Sequence, residues 1–270
     1  MGAPSPANKP SSRQLWGLAG VGAVVGPAVD AVHNQALLAY DVLPVSVDLG
    51  LGVAKTRPVL SSSTHTHHPD SRGRTLCTGL RVLRILRSRT LAECRASSRC
   101  SLLIPPLLAL AYALLGGLLP PLAMAVVGGG SPSPRSAPGP TAALAVSSTV
   151  AIIKLSELLQ RAELPPAAAL LLLALPCALQ WRLLDGSRAS LALALLAAVG
   201  GPLAELPLMK LGAWHYLTPD YWPLAAWSCG PGTGNEWAGL SAITGPCYFA
   251  VTTDAIALGR WFDSEQESVV

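Results

Sequence analysis

Four groups of side chains in this 270-residue chain have types and spacing suited to chemistry. Asp30, His33 and Asn34 stand at the end of one apolar run, and Glu205 stands inside another. Polar groups at such depth are costly in lipid, which marks them as candidates for a proton relay or a lipid-facing catalytic cluster. Glu205 is expected to pair with Lys210 or Lys154, or to line a cavity. The bland alternative for Asp30, His33 and Asn34 is an interfacial position where they bond water. His65, His67 and His68 form an HTHH run, and imidazole is the commonest metal ligand. No Cys or carboxylate stands at ligand spacing, so the run reads as a solvated loop and no metal site is expected. The fourth group is Trp181-xxx-Asp185-x-Ser187-Arg188, followed by Gly212 and Tyr216-Leu-Thr-Pro219-Asp220. Taken alone, an Asp just after an apolar run is a cap or turn residue whose carboxylate accepts backbone N–H bonds.

The motifs of hydrolases, metalloproteases and nucleotide enzymes do not occur in usable context. Gly230, Gly232 and Gly234 form a glycine-rich stretch, but nothing strand-like precedes it and no Lys follows. No catalytic residue and no cofactor is expected. The six cysteines (Cys77, Cys94, Cys100, Cys177, Cys229 and Cys247) contain no CxxC pair, which argues against a disulfide framework or zinc site.

The elements that must carry these residues follow from composition. The chain is 51% hydrophobic and only 13% charged, with mean hydropathy +0.45. A soluble domain carries about 25% charged residues, so this chain lacks the charge to coat a globule. Apolar content this high also excludes disorder. Six apolar stretches, residues 15–29, 101–127, 141–159, 164–184, 191–211 and 242–258, predict an all-α polytopic membrane protein built as a six-transmembrane-helix bundle. The organisation reads as a tail (1–14), a first span with its flank (15–50), a basic low-complexity insert (51–100), a five-span remainder (101–260) and an acidic tail (261–270).

Ten of the 19 Lys and Arg fall between Lys55 and Arg99, including Arg81, Arg84 and Arg87 at every third position. That block reads either as an inert insertion or as a basic helix lying on anionic lipid. Lys9, Arg13, Arg182, Arg188 and Arg260 share one side of a six-span chain. The positive-inside rule makes that side cytosolic, with both termini there, although the basic insert then falls on the other side. Trp214, Tyr216, Tyr221, Trp222 and Trp227 form an aromatic belt at the membrane interface.

The run Trp181-Arg-Leu-Leu-Asp185-Gly-Ser187-Arg188, then Gly212-Ala-Trp-His-Tyr216-Leu-Thr-Pro219-Asp220, resembles the insulin-induced gene (Insig) family of endoplasmic-reticulum sterol regulators. Pro105, Pro106, Gly116 and Pro120 in the second span agree with the same pattern, as do Pro246-Cys247 and Gly259-Arg260 in the last. The resemblance covers spans two, four, five and six. Residues 51–100 and roughly 228–243 look inserted against it, span three matches poorly beyond Lys154, and Gly186 stands where animal members carry a basic residue.

The resemblance implies a non-catalytic protein of the endoplasmic-reticulum membrane. Such a protein binds an oxysterol and then retains sterol-sensing-domain partners: SCAP, the escort of SREBP, and HMG-CoA reductase. It implies partner binding through Asp185, with Ser187 and Arg188, and a sterol pocket near Trp181, to which Glu205 is added as a polar wall. The competing reading from the residues is a lipid-modifying enzyme or small transporter using Asp30, His33, Asn34 and Glu205.

Overall fold

The computed structural model describes residues 10–33, 37–40, 44–47, 98–127, 138–217, 219–220 and 239–267. Among them run six long helical segments: α1 (Ser12–His33), α2 (Ile104–Val127), α3 (Pro138–Arg161), α4 (Pro166–Leu184), α5 (Arg188–Lys210) and α6 (Thr244–Glu267). Two short two-stranded sheets accompany them, β1 (Leu38–Tyr40) with β4 (Trp214–Tyr216) and β2 (Pro44–Val47) with β3 (Ser98–Ser101). The strands are an addition to the all-helical expectation. A separate unit, Val47–Ser97, is inserted between α1 and α2. The HTHH run and Arg81, Arg84 and Arg87 fall there, outside the described residues; Asn34, Gly230, Gly232 and Gly234 also lie outside the described residues, elsewhere in the chain.

Helices α2, α3, α4 and α5 are long and apolar enough to cross a membrane. Leu171, Leu175, Leu179 and Leu183 repeat every fourth residue along α4 and are all more than half exposed. Four leucines in one stripe have no place on a water-facing helix; facing acyl chains, they are in their preferred solvent. The last helix differs. α6 touches each of the other five helices and buries Thr252, Thr253 and Asp254 along with its Ala residues. It is less apolar than its neighbours because it meets protein, not lipid, on every side. It also extends to Glu267, nine residues past the expected end of the span, so Arg260 and much of the acidic tail are helical.

Backbone chemistry sets how closely the helices approach. Pro105 and Pro106 open α2, where a missing N–H costs nothing. Further along, Pro120 and Pro121 cannot donate to the carbonyls of Gly116 and Gly117, four residues earlier. The helix widens there into a π-turn over Ala113–Leu118. The unpaired Gly116 carbonyl faces Gly259 of α6, where any Cβ would collide with it, and a Cβ at Gly116 would in turn strike the Ala255 carbonyl. The device recurs on α5. Pro202 leaves the Ala198 carbonyl without its helical donor, and a Cβ on Gly245 of α6 would lie 2.9 Å from that oxygen. Two proline-freed carbonyls are thus each met by a glycine of the central helix, with no room there for a side chain.

Gly116→Ala should therefore lower stability by about 1–3 kcal/mol, because its new methyl meets backbone that has no rotamer to yield. Gly200→Ala, with nothing within 4 Å of the added carbon, should be neutral or gain up to about 1 kcal/mol of helix propensity. Thermal unfolding in detergent checks both; equal midpoints for the two variants would refute the close-packing account.

Candidate functional site

At the end of the bundle where α4 meets α5, the chain turns through Asp185, Gly186 and Ser187. Gly186 has φ +67°, a conformation that favours glycine, and its amide reaches back 2.8 Å to the Trp181 carbonyl. The helix cap of α5 is Ser187, whose hydroxyl accepts from the Ser190 amide at 3.2 Å. Asp185 closes α4 at its C-cap position in the turn; its side chain is buried, and its carboxylate accepts from side chains rather than from the backbone N–H groups of an N-cap. One carboxylate oxygen accepts from the Ser187 hydroxyl at 2.8 Å, and the other is paired with the Arg260 guanidinium of α6. Burial works against the Asp185 charge, but Arg260 and the Ser190 and Ser187 hydroxyls outweigh it and hold the carboxyl below its usual range. Arg188, the first residue of α5, is exposed. The Trp181 indole N–H donates to the Ser187 carbonyl at 3.0 Å and the Ser190 hydroxyl at 3.1 Å. Its polar edge is therefore spent on the turn.

The second polar cluster gathers around Glu205 on α5. The expected lysine partners give way to neutral donors: Tyr216 hydroxyl at 2.6 Å, Tyr248 hydroxyl at 2.7 Å and Trp214 indole at 3.2 Å. Lys154 pairs with Glu157 on its own helix. Gly201 leaves the space occupied by the Tyr248 ring, which lets that hydroxyl reach Glu205 one turn on. Asp30 is close enough for its charge to act on Glu205, and it accepts a hydrogen bond from Tyr40. Tyr40 in turn meets Trp214 edge-on, across the antiparallel β1–β4 pairing. Two members of the predicted Asp30, His33, Asn34 and Glu205 group are thus linked, Asp30 through Tyr40 and Trp214 to Glu205. His33 ends α1, and its side chain lies outside the described residues.

The remaining motif residues build the loops between these elements. Gly212, at φ +75°, ends α5, where its amide and that of Ala213 bond back to the Met209 and Leu208 carbonyls. Pro219 packs against Gly239, and Asp220 accepts from the Ala242 amide at 2.7 Å and the Ser241 hydroxyl at 3.2 Å, just before α6 begins. Trp181 and Glu205 do not share a pocket. Ser190, which touches Trp181, lies fifteen residues from Glu205 along α5, about 22 Å of helical rise. A cleft between α2, α5 and α6, lined by Pro120, Met124, Leu193 and Ile256 with Ser190 and Arg260, has room for little more than one water molecule.

Sequence reasoning passed over two further buried groups. Asp254, in the middle of α6, accepts from the Tyr112 hydroxyl at 2.7 Å, and its other oxygen has no hydrogen-bond partner. The Gln180 amide donates to Thr149 at 2.7 Å and Ser148 at 3.1 Å, joining α4 to α3. A lone acid inside an apolar run was a readable signal for the first. Nothing in the spacing announced the second.

Two measurements follow. Because the folded carboxyl of Asp185 titrates below its unfolded value near 4, its stabilisation is complete above that value and is lost as pH falls through the depressed folded one. An Asp185→Asn variant should be less stable at neutral pH and should lack part of the acid-induced drop in thermal midpoint; an unchanged acid limb would remove Asp185 from that role. Glu205→Leu would leave three buried donors without their acceptor, at about 1–3 kcal/mol each if none finds another. It should unfold at markedly lower temperature than Glu205→Gln, and equal midpoints would show that the carboxylate does not organise the cluster.

No protein-family model matches this chain, and no curated protein matches it at a significant level. Solved structures do. The crystal structure of MvINS, a mycobacterial Insig homolog from Mycobacterium vanbaalenii, is similar with a TM-score of 0.56 at 18% identity, over 96% of this chain and 98% of that one. A cross-linked trimer of an MvINS variant is similar with a TM-score of 0.55, at the same identity and coverage. The likeness takes in the whole bundle, including α3, where the sequence motifs run out. This chain has the helical membrane fold of an Insig homolog.

Proposed function

We propose that this chain is a sterol-responsive membrane protein of the endoplasmic reticulum. In this reading it binds an oxysterol or related sterol and retains sterol-sensing-domain partners of the SCAP and HMG-CoA reductase type. The observation that carries the reading is the Insig-homolog fold, joined to the motif run from Trp181 to Asp220 that prompted the resemblance. Its action is binding rather than catalysis, and both termini face the cytosol at the arginine-rich end.

Within this reading Asp185 acts indirectly. Its carboxylate holds the α4–α5 turn against Arg260 of α6, so it sets the shape that a partner meets instead of touching the partner itself. The cleft at α2, α5 and α6 is far below the ~300 Å³ of a small-molecule pocket. A rigid sterol seated at that cleft requires helices to part, and it would shift the open population only by its differential affinity for that state.

A second reading rests on Asp30 and Glu205, linked through Tyr40 and Trp214, with Tyr216 and Tyr248 donating to Glu205. It is a lipid-modifying or transport activity at the other end of the bundle. Photo-crosslinking with a tritiated oxysterol in microsomes separates the two. Saturable labelling competed by unlabelled sterol, with partner capture reduced at least tenfold by Asp185→Ala in inserted protein, is the expected result. Absence of labelling from well-inserted protein would sink the sterol reading and turn attention to Asp30 and Glu205.

A further inference from the structure

Two contacts fix which helix ends lie together. Gln14 near the start of α1 donates to the Gly259 carbonyl of α6 at 2.9 Å, and Arg260 of α6 is paired with Asp185 between α4 and α5. Arg13, Arg182, Arg188 and Arg260 therefore occupy one end of the bundle. The described acids at that end are Asp185, between α4 and α5, and Asp263, Glu265 and Glu267, which belong to the last turns of α6 and not to the α4–α5 turn. Asp185 is buried and committed to Arg260, so it neutralises nothing on the outer surface.

Arg182 and Arg188 are both exposed, and neither forms an ion pair among the described residues. They bracket the turn from either side. Arg182 sits in the last turn of α4, and its guanidinium folds over the turn so closely that a Cβ on Gly186 would stand 2.9 Å from it. Arg188 opens α5 immediately after the Ser187 cap. The 19- and 23-residue lengths of α4 and α5 match the hydrocarbon thickness, which puts both guanidiniums at headgroup depth. Exposed Leu179 and Leu175, one and two turns deeper than Arg182, continue the surface below it into the acyl region.

We propose that Arg182 and Arg188 grip the phosphate of an anionic phospholipid of the surrounding leaflet, with its acyl chains lying along the α4 leucine stripe. Planar guanidinium forks suit phosphate oxygens, and two exposed ones flank a single four-residue turn, with Arg182 already folded over it. The buried Asp185–Arg260 pair is a positioning device here: it holds the turn rigid and keeps a carboxylate off the surface where the phosphate binds. The inference does not depend on which ligand the bundle takes, so failure of the sterol reading leaves it standing.

The test uses full-length protein in nanodiscs of phosphatidylcholine alone or with one-fifth phosphatidylglycerol, with retained lipid counted by native mass spectrometry. Wild type should retain phosphatidylglycerol preferentially. At about 1 kcal/mol per basic residue near an anionic surface, Arg182→Gln/Arg188→Gln should weaken that preference roughly thirtyfold. The paired Lys replacements should lose less. Arg13→Gln, which removes one charge from the same end, should leave most of the preference. Monodisperse double variant in phosphatidylcholine discs establishes that folding survives. The proposal is overturned if wild type shows no preference, if the double variant keeps it, or if Arg13→Gln removes it equally. Binding of a glutamate-rich peptide with no lipid preference would assign the turn to an acidic protein segment instead.

Discussion

Everything in this bundle depends on how closely backbone can approach backbone around the central helix. In water, a core is assembled by expelling solvent from apolar side chains; in lipid that force is absent between helices, and packing must supply the cohesion. Gly245 and Gly259 of α6, with Gly116 of α2, allow contact at main-chain distance. Pro120 and Pro202 supply the other half by freeing carbonyls at the points where those glycines arrive. A helix so enclosed no longer needs to be lipid-soluble, which is why α6 can hold Thr252, Thr253 and Asp254.

Two polar clusters sit at opposite ends of that frame and perform different work. At one end, the Asp185–Arg260 pair ties the α4–α5 turn to α6, so the turn and the central helix move together or not at all. At the other, Glu205 gathers Tyr216, Tyr248 and Trp214 and thereby holds the β1–β4 ribbon against α5 and α6. Both carboxylates are spent on internal contacts. At the α4–α5 turn itself the charged groups left exposed are Arg182 and Arg188, so a partner or lipid at that turn meets positive charge.

Several residues that resemble a functional motif prove to be architectural. Gly212 closes α5, Asp220 caps the approach to α6, Pro219 seats on Gly239, and Tyr216 serves Glu205. Residues that satisfy buried backbone and carboxyl groups have few substitutes, whereas lipid-facing leucines have many. The insert between α1 and α2 is tolerated for a related reason, since it leaves and rejoins the bundle through the short strands Pro44–Val47 and Ser98–Ser101, which pair with one another.

The membrane class, the helical spans and the turn containing Asp185 were legible in the sequence, because hydropathy, Pro, Gly and Ser act locally and within one or two turns. Partnerships were not. Which donors would serve Glu205 depended on Tyr248, 43 residues away, and Trp181 and Glu205 looked like one pocket until helical rise separated them. The inward turn of Asp185 also needed Arg260, 75 residues on, to lie beneath it. A buried charge takes whatever partner the packing brings within hydrogen-bond reach, and that is decided by how helices cross and not by the order in which they are strung.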